Sequence, residues 1–227
     1  MQYTEFERII SQPRMQRYLV ATANDTRKTM TLYRLNLKIS QECFTIISCF
    51  EIALRNAIDE HYVAVYGNEW LKDAQSPGGI FTNRRCRITK QIITQAYTNL
   101  GSQYTHPKLL AEMDFGFWRF LFAQPQFYHA GQSLLNIFPN KPNSTPLIQY
   151  NQRYVFNELK KINYFRNRIA HHEPICFRLG APIIDTTYLM TNYNVIQNLF
   201  YWMDIDSNKL LYGLDHIDKL RDKLNQL

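Results

Sequence analysis

Thr29–Tyr66, TMTLYRLNLKISQECFTIISCFEIALRNAIDEHYVAVY, is the longest periodic stretch of the 227-residue chain. Its Leu32, Leu35, Ile39, Phe44, Ile47, Leu54 and Ile58 are spaced for one apolar helical face. The pattern predicts one long helix, or two broken near Ser40. Gly67 fits the stop, since glycine adopts the left-handed conformation that ends helices. Beyond it, SPGG at Ser76–Gly79 is the strongest loop signal in the chain.

Working outward, Asn83–Leu100 (NRRCRITKQIITQAYTNL) again has helical spacing and opens on a basic turn, with Gly101–Pro107 as its break. Met113–Gln124 (MDFGFWRFLFAQ) is short and aromatic. It reads as a buried core helix or hairpin wedge, with a base-stacking platform or protein-interaction segment as the other reading. Asn136–Pro146 contains three prolines and is loop. A second strong helix is expected over Leu147–His172, stopped by Pro174, which removes an amide donor and disfavours helical geometry at Glu173. TTYLMTNYNVIQNLFYWMD (Thr186–Asp204) and the amphipathic Asp215–Leu227 read as further helices. With no repeat and no βαβ alternation, the economical architecture is an all-α bundle forming one domain over 1–227.

Composition narrows the function classes. Hydrophobic residues at 45% against 20% charged exclude a disordered chain. Arg and Lys outnumber Asp and Glu by 26 to 19, a formal charge of +7, which favours polyanions such as RNA as partners and equally suits a merely soluble protein. Cys43, Cys49, Cys86 and Cys176 lack CxxC spacing, so they read as reduced, mostly buried thiols, and no metal or other cofactor is expected. MQYTEFERII lacks a signal-type apolar core, and no run of about 18 apolar residues exists, so a cytoplasmic protein without membrane contact is expected.

The chemistry-bearing segment is YFRNRIAHHEP, Tyr164–Pro174. On an ideal wheel, Val155, Leu159, Ile162 and Ile169 cluster about 40 degrees from Arg166, which therefore sits beside the core. Asn163, Ala170, Asn167 and His171 fall between about 40 and 140 degrees on its other flank, a polar stripe around one small residue. These residue types suit phosphodiester transesterification. An imidazole exchanges protons with ribose 2′-OH or the leaving 5′-oxygen near neutral pH, and an arginine fork holds the phosphate. The nucleophile lies within the substrate, so the chemistry calls for no metal. Since one His does not readily perform both proton transfers, two copies across a homodimer would supply acid and base.

Other residues carry a bland reading beside the sharp one. Arg55 and His61 repeat the Arg-to-His spacing, but His61 projects to the apolar side, and Glu51, Arg55 and Asp59 form an i, i+4, i+8 charge ladder. His172 points about 100 degrees from His171, so the two do not share a metal, and it reads as a helix-end cap. Glu173 reads as solvated, or as an acceptor for either imidazole. Arg84, Arg85, Arg87 and Lys90 form the densest basic run, an RNA track or a solvated face. Lys160, Lys161 and Arg168 lie near the motif and are candidates to line a phosphate path. Tyr164 would stack a base or pack at a dimer interface, the latter being favoured.

The RNRxAHH form of this segment resembles the RNxxxH motif of HEPN ribonucleases, which include RNA-guided CRISPR effectors. Arg17–Ile58 and Asp114–Phe122 (DFGFWRFLF) are similar to Abi-like abortive-infection proteins of the AbiD and AbiF type. The resemblance runs over most of the chain up to Cys176, and 178–227 adds nothing to it. It implies a HEPN-type helical bundle with additional peripheral helices, a homodimer with facing motif helices, and RNA cleavage or RNA binding in a phage-defence or toxin setting. Arg166, Asn167 and His171 would take the catalytic positions, and Glu51, Arg55, Asn56 and His172 would support them. A structured RNA as substrate or ligand, and a neutralising antitoxin RNA or protein, follow as expected partners.

Overall fold

The long periodic segment is a single 41-residue helix, Thr26–Tyr66, unbroken at Ser40 and about 60 Å long. Three of its hydroxyls are satisfied within the helix by bonding back one turn: Thr31 Oγ1 to the Arg27 carbonyl, Thr45 Oγ1 to Gln41 and Ser48 Oγ to Phe44, at 2.8–3.1 Å. Asp25 caps its start, Oδ1 accepting from the Arg27 and Lys28 amides at 3.0 Å.

The computed structural model describes residues 1–227. Its helices are α1 (Tyr3–Ile10), α2 (Gln12–Ala21), α3 (Thr26–Tyr66), α4 (Trp70–Asp73), α5 (Arg87–Leu100), α6 (His106–Ala111), α7 (Phe115–Phe120), α8 (Gln124–His129), α9 (Gln152–Ala170), α10 (Thr187–Trp202), α11 (Ser207–Leu210) and α12 (Ile217–Asn225). The architecture is all-helical. No strand forms, and Phe177 and Ile184 make one isolated antiparallel bridge. No helix is long and apolar enough to cross a membrane.

Two elements depart from the sequence pattern. On α3 the buried stripe is Cys43, Ile46, Ile47, Phe50, Leu54 and Ile58, whereas Phe44 is exposed, because it is rotated about 100 degrees from Cys43. A polar residue, Asn36, occupies a core position instead. The second strong helix begins at Gln152 rather than Leu147. Ser144 Oγ and Thr145 Oγ1 take the Tyr150 and Ile148 amides at 3.0 and 3.1 Å, turning the chain, and Asn151 Oδ1 caps the helix through the Tyr154 amide at 3.1 Å.

The chain divides into two compact units, with boundaries inside α3, α9 and α10. The first comprises Met1–Ser48, Tyr164–Gln197 and Ser207–Leu227. Its core includes an edge-to-face series of rings, Phe6–Tyr33–Tyr18–Phe177, with centroids 5.0–5.5 Å apart. Amphipathic α12 buries Ile217, Leu220 and Leu224.

The second unit comprises Cys49–Asn163 and Asn198–Asp206. Here the aromatic Met113–Gln124 segment is core: α7 buries Phe115, Phe117 and Trp118 after an Asp114 cap on the Phe117 amide at 2.8 Å. Phe50 packs edge-to-face on Phe200 with centroids 5.3 Å apart. The SPGG turn folds onto α4. A Cβ on Gly79 would meet the Asp73 carbonyl oxygen and lie 2.7 Å from that of Ala74, so only glycine allows this approach.

Candidate active site

The motif Arg166-Asn167-xxx-His171 lies at the C-terminal end of α9, where helical geometry stops at Ala170. The termination has a specific form. The His172 amide bonds the Ile169 carbonyl and the Glu173 amide bonds the Arg168 carbonyl, both at 2.9 Å, and His172 is left-handed at φ 56°. This pair of bonds defines a Schellman motif, with histidine where glycine is usual and with Pro174 two residues on. The helix is therefore closed by its own backbone before Pro174. His171 sits at the half-in position, its amide still bonded to the Asn167 carbonyl at 2.9 Å and its side chain in solvent.

Side chains distant in sequence hold this turn. Arg14 Nη1 donates to the His172 carbonyl at 2.8 Å, and the Ile175 amide donates to buried Asn36 Oδ1 at 2.9 Å. Arg168 Nε donates to the Pro174 carbonyl at 3.0 Å, lies 3.6 Å from Glu173 Oε2 and places its guanidinium 5.2 Å from the Tyr188 ring centroid. Arg168 thus grips the turn rather than facing outward, and Glu173 turns to Arg168. Arg17 bonds the Arg178 and Ala181 carbonyls at 3.1 and 2.9 Å over the Phe177 ring, bracing the following loop. Burial pushes the neighbouring Cys176 thiol up to about 12, so it is a protonated core group rather than a nucleophile.

Arg166 and Asn167 are half-buried neighbours, Nη1 and Oδ1 3.5 Å apart, a loose contact that leaves guanidinium donors for an anion. The arrangement offers a fixed cation beside the core and, five residues on, an accessible imidazole on a braced turn. On α9 within the second unit, Lys161 is exposed and paired with Glu158 at 2.7 Å, and Lys160 is half-buried.

The earlier polar cluster lies on α3 in the second unit. Arg55 Nε donates to Asn56 Oδ1 at 3.3 Å, and Glu51 is half-buried. The last rung of the expected charge ladder is turned elsewhere: Asp59 Oδ1 accepts from Trp70 Nε1 and pairs with His106 Nε2, each at 2.7 Å. His61 Nε2 meets Ser133 Oγ at 2.8 Å, and burial lowers its pKa.

The basic run, which spans the turn before α5 and its first residues, is divided between two hollows. Arg84, Arg87 and Lys90 line a polar hollow of about 670 Å³ with Gln91, Thr94 and Thr98, whereas Arg85 faces a separate apolar hollow. From Ala74 to Ala111 the sequence contains no Asp or Glu, so the cations of this region are uncompensated by neighbours in sequence. Residue spacing alone signalled the run. Arg14 and Asn36 carry no local signal, because each acts on a segment more than 130 positions away.

A family model described as Abi-like protein matches residues 2–176, which takes in α1 to α9 and the whole motif. No curated protein and no solved structure matches the chain.

Proposed function

Since the chain belongs to the Abi-like protein family, which points to abortive infection and phage defence, we propose that it is a metal-independent endoribonuclease of HEPN type acting as a defence or toxin effector. The observation that carries this reading is the RNxxxH constellation at the end of α9, with Arg166 half-buried and His171 presented to solvent on a turn fixed by Arg14, Asn36 and Arg168. Arg166 binds the scissile phosphate and the charge that grows on it. His171 acts as general acid or base, and Asn167 orients the pair. The ribose 2′-oxygen loses its proton and attacks phosphorus, the bond to the 5′-oxygen breaks, and that oxygen takes up a proton. The products carry 2′,3′-cyclic phosphate and 5′-hydroxyl ends.

Base and acid are required together, so the active form is a homodimer in which each copy supplies one His171. Exposed Tyr164, on the same helix, suits the interface. A neutralising antitoxin RNA or protein would hold such an effector silent. The cationic run at the start of α5, within a stretch of sequence that contains no Asp or Glu, also supports a second reading, a non-catalytic dimer that binds structured RNA.

The test is incubation of purified protein with end-labelled RNAs in EDTA, wild type against His171→Ala, reading fragments and end chemistry. Cleavage to cyclic-phosphate ends by wild type alone is expected. RNA retained on a gel shift by both proteins, with no cleavage by either, would replace the nuclease with the binding dimer.

A further inference from the structure

We propose that the apolar hollow between α5, α7 and α8 is a subsite for one unstacked RNA base, with the adjoining cationic face of α5 holding the strand's phosphates. This rests on the RNA reading above and adds to it a recognition element outside the RNxxxH site.

The hollow, about 380 Å³, falls within the size range of small-ligand sites. Its walls are Ile88, Ile92, Phe117 and Phe120, of which Ile88 is 65% and Phe120 45% exposed. Exposed branched and aromatic side chains lining a concavity form a poorly hydrated surface that a flat ring fills. Beneath them lie Thr89 and Gln126, both buried. Gln126 Nε2 donates to Thr89 Oγ1 at 2.8 Å, while its buried Oε1 accepts from no protein group. An unmatched amide acceptor is costly to bury and favours an occupant that carries N–H groups, as bases do and aliphatic side chains do not.

Charge selects the source of that occupant. Arg85 stands at the hollow, and Arg84 of the same short turn lines the polar hollow together with Arg87 and Lys90 of α5 and the hydroxyls of Thr94 and Thr98. The single acid at the apolar hollow, Asp114, is engaged in capping α7. A cationic track beside an apolar slot is the arrangement that single strands require: sequence-independent backbone attraction next to a surface for a base face. An acidic peptide with an aliphatic side chain would fill the slot but leave the Gln126 acceptor unmatched.

The experiment measures anisotropy of the full-length protein, with His171→Ala present so that RNA stays intact. The probes are a short fluorescent single-stranded RNA and its counterpart with abasic central nucleotides, which have equal numbers of phosphates. The intact RNA is expected to bind about tenfold tighter, the scale of one base stacked on protein. Phe120→Ala and Ile88→Ser, both at exposed positions, should each remove most of that difference while leaving the abasic RNA unchanged. Arg87→Ala with Lys90→Ala should weaken both RNAs and flatten the salt dependence. Equal affinity for the two RNAs, with salt-dependent binding intact, overturns the base subsite, leaves the hollow to a protein side chain and spares the RNA reading. Loss of all salt-dependent RNA binding in the wild-type surface overturns both.

Discussion

Replacing His172 by glycine should stabilise this protein although it deletes a histidine of the motif segment. His172 is held at φ 56°, where an L-residue is strained by about 1–2 kcal/mol relative to right-handed helix. Glycine relieves that strain but makes the unfolded chain freer, an offset of about 0.5–1 kcal/mol. Both hydrogen bonds made by residue 172, its amide to the Ile169 carbonyl and its carbonyl from Arg14 Nη1, are backbone bonds that survive the change. The net expectation is a gain of about 0.5–1 kcal/mol, which at this chain length raises Tm by about 1–4 °C. Thermal unfolding followed by circular dichroism at neutral pH reads it, with His172→Ala as the control that removes the imidazole and keeps the strain. If His172→Gly melts below wild type, and His172→Ala melts equally low, the imidazole rather than the Schellman backbone holds the turn, and the description of how His171 is positioned is wrong.

Asn36→Ala leaves the buried Ile175 amide without its acceptor and should lower stability by about 1–3 kcal/mol, measured as a fall in Tm, with faster amide exchange over Ile175–Phe177 as its local mark. Gly79→Ala drives a methyl group into the Asp73 and Ala74 carbonyls and should cost about 1–3 kcal/mol, whereas Gly78→Ala, with open space around it, should be limited to the strain of its left-handed backbone; equal melting of the two variants would contradict this packing. His61 is depressed by burial, so the folded state favours the neutral ring; its contribution is complete above the ordinary value of 6.5 and fades as pH falls through the lower folded value. His61→Gln should therefore flatten part of the acid limb of a Tm-against-pH curve, and parallel curves for the two proteins would refute the assignment.

The motif and its spacing were legible without coordinates, because Arg166, Asn167 and His171 occupy one helical stretch whose period places them. Helix content was legible for the same reason: the apolar period read over Thr29–Tyr66 runs through nearly all of the 41-residue α3. The short helices α1, α4, α6, α8 and α11 were not, since segments of four to eight residues contain too few turns for a period and are held by packing. Phe44 and Asn36 show why residue type misleads about burial. On α3 the stripe is chosen by what it packs against, so Cys43 is buried where Phe44 is exposed, and hydrogen-bonded Asn36 takes a core position.

By itself, then, the sequence determined the all-helical class and the RNxxxH residues that make up the candidate site, because both are written in spacings of three to five residues. Only the tertiary structure decided which groups are available. It turned Arg168 inward onto Pro174 and Tyr188, gave Asp59 to Trp70 and His106, and divided one run of arginines between two hollows. It also brought Arg14 and Asn36 to the motif's end. The reason is physical: each buried donor must find an acceptor wherever the chain brings one, and the partner's position in sequence plays no part in that requirement.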